Sequence, residues 1–359
     1  MPLTIEALEA AQAFLSPKLD VTFWRFSPIL EKIFDGNGIA REKMQGPRKD
    51  FRLLTNGPGG TTILTYGSEL LDNVSRDQVI LGNVGASRYM YHWIVYGKEL
   101  AEINSDTDVE NLIEQKPVTA YMDFAQDHVK QLLLGTGSAG IRGFLTFNGS
   151  TTYSSFDGSR TGVFSFAAPA SQTSTVFGVT KRGGTGGLVD WYNQYGNISA
   201  MGDDGEAVLR ETYYDCGAFH RKYAEPDLLI ADKTSFYNYI RVRDDRVYLV
   251  DERKPETKDG SAKPGIPFLN GRLMFDTLMN VDDATLIAQN GIVYILNTKS
   301  WQIYTMGNDA DMEGGGWFEK RKPFRIPNLD AWRFEIVMHA GMYTEALACN
   351  GVVTGGWTR

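Results

Sequence analysis

Apolar and polar positions repeat along this chain with two periods, and the switch from one period to the other marks its elements. Val118, Tyr121, Met122, Ala125, Val129, Leu132 and Leu133 recur at helical spacing, with Asp123, Gln126, Asp127 and Lys130 on the other side. Pro117 to Leu134 therefore predicts the most regular helix, entered through a proline, closed by Gly135 and roughly 27 Å long at 1.5 Å per residue. Two short apolar helices are predicted earlier, on Ile5, Leu8, Ala11 and Leu15 and on Ile29, Leu30, Ile33 and Phe34. Neither has a partner nearby in sequence, so the pair must dock on something larger. A further helix is predicted over Gly205 to Lys222.

The stretch Glu225 to Met306 organises the rest. Leu228 to Ala231 is a continuous apolar run entered through Pro226, which predicts a buried strand. A short helix over Lys233 to Arg241 follows, with Thr234 or Ser235 as its cap. Gly265 to Asp276 predicts a hairpin about the Asn270-Gly271 turn. Gly291 to Asn297 is a further strand, continued by Trp301 to Met306. Later, Trp332, Phe334, Ile336 and Met338 alternate on one face of a strand, and Tyr343 to Cys349 and Val352 to Trp357 predict two more.

Upstream, Thr61 to Tyr66 and Arg88 to Tyr96 predict the two limbs of an extended hairpin, separated by a polar stretch with Gly82 and Gly85. At about 18 residues per limb and ~3.3 Å per residue its reach is at most ~60 Å. A lone hairpin of this kind is marginal in water, so it requires a partner surface. The Pro/Gly-rich segment Gln45 to Gly60 predicts a linker. In the Gly-, Ser- and Phe-rich region Gly135 to Gly196, alternation at Val163 to Phe166 predicts short strands. Many turns, strands and a few helices together give an α+β fold class.

Composition narrows the function more than the fold. A net charge of −8 argues against grip on nucleic acid through bulk electrostatics. The basic clusters Arg41 to Arg52 and Lys320-Arg321-Lys322 both have acids close by. Cys216 and Cys349 lie far apart in sequence without metal-type spacing and read as small buried hydrophobes. Met1 to Glu6 has no basic segment before an apolar run, so no secretory signal is expected. No run approaches the ~18 apolar residues of a membrane span.

The chemical motifs fail on context. Gly135-Thr136-Gly137-Ser138-Ala139-Gly140 has the form of a dinucleotide loop, but a helix precedes it and a strand pattern follows, the reverse of what a phosphate site needs. Asp309-Ala310-Asp311-Met312-Glu313-Gly314 copies half of a calcium loop, yet Lys320 stands where the closing glutamate belongs. His92, His128, His220 and His339 show no paired spacing. The carboxylate pairs Asp203-Asp204, Asp244-Asp245 and Asp282-Asp283 sit in turn-like contexts. The expectation is a chain that is not an enzyme, with no catalytic, cofactor-binding or metal-ligating residues; a hydrolase or nucleotide-binding enzyme is disfavoured.

The order of elements resembles the major capsid proteins of tailed bacteriophages, whose HK97-like shell fold is shared with encapsulins. The resemblance is carried by the strand and helix opened by Pro226-Asp227-Leu228, the turn Gly265-Ile266-Pro267 and the late strand ending in Leu296-Asn297. It implies an N-terminal arm (1–56), an extended loop (57–97), a peripheral domain (98–190) with its spine helix at 117–134, an axial domain (191–302) and return strands (303–359). It implies self-assembly into hexamers and pentamers of an icosahedral head shell around phage DNA, in the virion, after assembly in the host cytoplasm. Portal, scaffold and decoration proteins are the further partners it implies; an encapsulin-like cargo compartment is the alternative. Some relatives cross-link subunits through a lysine on the extended loop. Thr61 to Gly97 contains none, so no such bond is expected here.

Overall fold

The computed structural model describes residues 40–43, 48–54, 79–85, 87–98, 119, 123, 127, 163–172, 175–181, 191–218, 225–246, 265–276, 291–305 and 319–355. Strand β1 is Ala40–Lys43, β2 Arg48–Leu54, β3 Val79–Gly85, β4 Ser87–Tyr96, β5 Thr175–Val176, β6 Val179–Thr180 and β7 Gln194–Ile198. A π-helical turn, Met201–Gly205, runs into helix α1, Glu206–Ala218. Then come β8 (Leu228–Ala231), α2 (Lys233–Arg246), β9 (Ile266–Phe268), β10 (Gly271–Phe275), β11 (Ile292–Leu296), β12 (Trp301–Thr305), β13 (Glu319–Arg325), β14 (Ala331–Thr344) and β15 (Gly351–Gly355).

Two sheets divide most of these strands. The six-stranded sheet has the order β7-β15-β11-β8-β10-β9, with β8 parallel to β10, β7 parallel to β15, and β11 antiparallel to both its neighbours. Every residue of β8 and β11 is buried, because both faces of this sheet are covered. That is why these strands appear in sequence as unbroken apolar runs. On one face lie both helices: Leu209, Tyr213 and Cys216 of α1 and Tyr239 and Val242 of α2 share a core with Leu229, Ala231, Leu273, Val293, Ile295 and Val353. The spacings i, i+4, i+7 in α1 and i, i+3 in α2 put those side chains on one helix face. On the other face Phe164 packs against Tyr294 and Trp301, with ring centroids 5.5 and 6.1 Å apart.

In the five-stranded sheet, β14 is central. One of its edges carries β4 over Ala331 to Ala340; the other carries β13 and then β12, with β1 added in parallel outside β12. Phe334 and Trp93 are direct partners across β14 and β4, and their rings stack at 5.2 Å. The register of β13 slips between Arg321 and Phe324, at Pro323, which has no N–H to give a ladder.

Several expectations are corrected. Residues 48–54, expected in a linker, form β2 and pair with Val79 to Gly85, expected as a polar connection. The alternation Lys49, Phe51, Leu53 is present but obscured by the surrounding Pro and Gly. The cap of α2 is Asp232: its Oδ2 accepts from the N–H groups of Thr234 and Ser235 at 3.0 and 3.2 Å. The hairpin turn is centred one residue early. Phe268 pairs with Gly271, and Leu269, at φ 52°, supplies the left-handed dihedral. Gly271 is required for space instead, since a Cβ there would lie 3.1 Å from Leu229 Cδ1 and 3.2 Å from Pro226 O. The strand β12 does not continue β11: a 3-10 turn, Thr298–Ser300, carries the chain to the other sheet. The region Val163 to Phe166 is buried but forms bends. In β14, Ala331, Glu335 and Val337 are buried as well as Phe334, so both faces are covered. Tyr343 and Thr344 end that strand, and Leu347–Cys349 is a 3-10 turn.

Thr119, Asp123 and Asp127 are helical and exposed, as the periodicity of 117–134 predicts for its polar side. Most of that helix, the two N-terminal helices and the strand expected at 61–66 lie outside the described residues.

Candidate assembly surfaces

Three structural features stand out in this chain. The first is the pair β2–β3. The expectation that Arg88 to Tyr96 is a limb of the extended hairpin is corrected here, since that segment lies in β4 and pairs with β14. Between β2 and β3 the pairing runs from Arg48↔Gly85 to Leu54↔Val79, so residues 55–78 connect the end of the pair at Leu54 and Val79. Phe51 is buried and stacks on Tyr343 with centroids 4.7 Å apart, and it meets Phe177 edge-on at 6.1 Å. Gly82 faces it across the ladder, where any Cβ would overlap the Phe51 ring. On the same strand, Asn83 N–H donates to Phe177 O at 2.8 Å. The Phe51 ring and the Asn83 N–H both tie this pair to the rest of the chain, while Leu81 remains 64% exposed. Beyond Ala86, β4 carries the chain to β14, and Tyr91 donates to Asp123 Oδ2 at 2.9 Å. Burial first, then the Asp123 carboxylate, raises the Tyr91 phenol above its ordinary value.

A second feature joins the two sheets. Asn350 Oδ1 accepts from the Asn297 N–H at 2.9 Å and from Trp301 Nε1 at 2.8 Å; Asn350 Nδ2 donates to Ser300 Oγ and Ala346 O. One amide therefore fixes the turn at which the chain crosses between sheets. Asp232 does a similar job at the other end of β11. Its carboxylate accepts from Gly291 and Ile292 N–H as well as capping α2. Buried Lys181 donates to Val163 O, Ser165 Oγ and Asn193 Oδ1, gathering the bent segment 163–166.

The third feature is the outer surface of α1 and α2. Glu211, Tyr214 and Asp215 are exposed on α1, and Lys233, Tyr237 and Arg241 on α2. Tyr214 is 56% and Tyr237 64% exposed. Partial burial and the neighbouring Glu211 raise the Asp215 carboxyl.

The residues singled out for chemistry do not converge. His92 is exposed on β4. Asp204 accepts backbone N–H bonds from Ser199 and Ala200, which lower its pKa and make it a local cap of the π turn. In the Arg41 to Arg52 cluster, Arg48 pairs with Asp50 at 3.0 Å and Lys49 with Glu42. Cys216 and Cys349 are free thiols, both buried. Among the described residues no group of His, Cys, Asp and Glu could hold a metal ion, and no helix is long and apolar enough to cross a membrane. Gly135 to Gly140, Asp309 to Gly314, His128, His220 and Asp282-Asp283 lie outside the described residues. The residues that matter most here, Asn350, Asp232, Lys181 and Phe51, are polar or isolated positions that neither a period of 2 nor one of 3.6 picks out.

No protein-family model matches the chain, and no curated protein matches its sequence. Solved structures do. The capsid of an empty GTA particle matches with a TM-score of 0.51 at 10% identity, over 89% of this chain and 88% of that one. The capsid of a native GTA particle matches at 0.50 and 9%, over 89% and 88%. The holo-SrpI encapsulin complex from Synechococcus elongatus matches at 0.51 and 10%, over 88% and 84%. The chain has the HK97-like shell fold, the α+β architecture that these capsid and encapsulin subunits share.

Proposed function

We propose that this chain is the subunit of a closed protein shell, the major capsid protein of a tailed-bacteriophage head. Copies gather into hexamers and pentamers and enclose phage DNA, and the chain carries out no catalysis. The observation that supports this most is the extent of the likeness, which takes in 89% of this chain and 88% of a capsid subunit. On this reading the six-stranded sheet with α1 and α2 is the axial domain. The five-stranded sheet with the 117–134 helix is the peripheral domain. The connection 55–78 is the loop laid on a neighbour, and the residues before β1 are the arm. Closed, multivalent arrangement makes such a shell stable even where each pairwise contact is modest. Portal and scaffold proteins, and a decoration protein, are its further partners in the virion, after assembly in the host cytoplasm.

A cargo compartment is the second reading, favoured by the encapsulin match at the same TM-score of 0.51. Electron microscopy of particles from cells carrying the native gene cluster, with nuclease-protected DNA and co-purifying protein measured on the same sample, separates them. DNA-filled shells support the capsid reading, enzyme-filled shells the compartment, and an absence of shells refutes both.

A further inference from the structure

Two exposed stripes of opposite charge lie on the two helices of this chain. On α1, Glu211 and Asp215 are one helical turn apart and both exposed, with Tyr214 exposed beside them. Acids at i, i+4 repel each other on an isolated helix, and the raised carboxyl of Asp215 reflects partial burial together with Glu211. On α2, Lys233, Tyr237 and Arg241 fall at i, i+4, i+8, so two cations flank an exposed ring on one line about 12 Å long. Among the described residues none of the four charged groups forms an ion pair. The basic group of α1, Arg210, is instead taken up by Glu206 at 2.6 Å within its own helix. The two helices sit over different parts of one sheet, α1 against β7 and β15, and α2 against β8 and β10.

Resting on the shell reading above, we infer that the acidic stripe of α1 docks on the basic stripe of α2 of a second copy, head to tail. The stripes match in character: a tyrosine within a pair of charges on each, with opposite signs. Because the two patches are different, the contact is heterologous, and repetition closes a ring. Opposite potentials also steer the encounter and disfavour a like-signed register. The tyrosines supply the apolar area, and the charges set orientation.

The test uses full-length chains, each checked for an unchanged thermal transition. Lys233→Glu with Arg241→Glu makes both stripes acidic, and Glu211→Lys with Asp215→Lys makes both basic. Each double variant alone loses capsomers and shells in sedimentation velocity, and the quadruple variant, with both signs reversed, regains them. Mixing the two double variants also restores rings, but only those with alternating subunits. Such rings close with six members and not with five, so hexamers form without pentamers. Double variants that assemble as the wild type does, or a quadruple variant that fails to recover, overturn the contact. If those results come while the wild type still builds shells, the shell reading stands and only the contact is wrong. A wild type without shells sinks both.

Discussion

The Trp301 indole N–H donates to Asn350 Oδ1 at 2.8 Å, and both residues are buried. Trp301 opens β12 in the five-stranded sheet, whereas Asn350 stands immediately before β15 in the six-stranded one. This bond spans the joint of the fold, and the same oxygen accepts the Asn297 N–H at the end of β11.

Replacing Asn350 with leucine removes the acceptor shared by the buried Asn297 N–H and the Trp301 indole N–H. At ~1–3 kcal/mol per orphaned group, the expected loss is roughly 3–5 kcal/mol. Urea unfolding monitored by Trp fluorescence checks it. A midpoint equal to that of the wild type would show that the joint does not depend on this amide.

In the β2–β3 pair, Gly82→Val drives a side chain into the Phe51 ring, whereas a Cβ at Gly85 would have nothing within 4 Å. Gly82→Val is expected to cost roughly 2 kcal/mol or more, and Gly85→Ala close to nothing. Phe51→Ala removes the stack on Tyr343 and is expected to cost about 3–4 kcal/mol. Thermal melts of the three variants give the ranking; equal effects at positions 82 and 85 would contradict the packing described.

Burial pushes the Cys349 thiol from 9.0 to about 12 and the Cys216 thiol well above its ordinary value. Burial, then the Glu225 charge, raises the Tyr213 phenol from 10.0 to about 12. These groups ionise in the unfolded chain first. Between about pH 9 and 12 the unfolded state binds fewer protons than the folded one, so stability falls as pH rises; below pH 9 the same groups have no effect. Urea midpoints measured from pH 7 to 11 should be flat and then decline. Native thiols should also resist a disulfide reagent at pH 8 and react fully in denaturant. Rapid native reaction of both thiols would contradict their burial.

Shortening the loop separates folding from assembly. Replacing residues 55–78 with an Asn-Gly turn keeps the Leu54↔Val79 pair and the Phe51 anchor. A cooperative thermal transition should survive, lowered modestly, while closed shells disappear. Normal shells from the shortened chain would contradict the role given to the loop.

Much of this fold is legible because its strongest periodic signals are also its buried elements. Leu228 to Ala231 and Ile292 to Leu296 are sandwiched strands and read as such, and the sequence bounds α1 to within a few residues. What sequence reasoning misses depends on partners far along the chain. Phe51 is anchored by Tyr343, 292 positions later, and nothing local to 48–54 reveals it. Thr234 and Ser235 are good capping types, but the buried Asp232 before them outcompetes both by also binding Gly291 and Ile292. The Asn270-Gly271 pair gives the right hairpin for the wrong reason, since Gly271 is needed for its close approach to Leu229 and Pro226. Assembly surfaces are the least legible of all, because exposure of a tyrosine or a charge has no period.

Sedimentation velocity on the purified full-length chain at micromolar concentration tests the central claim most directly. Most of the protein is expected to sediment as capsomers or larger closed particles, with little monomer. A single sharp monomer boundary, with the arm and the 55–78 loop both resistant to protease, would contradict the account.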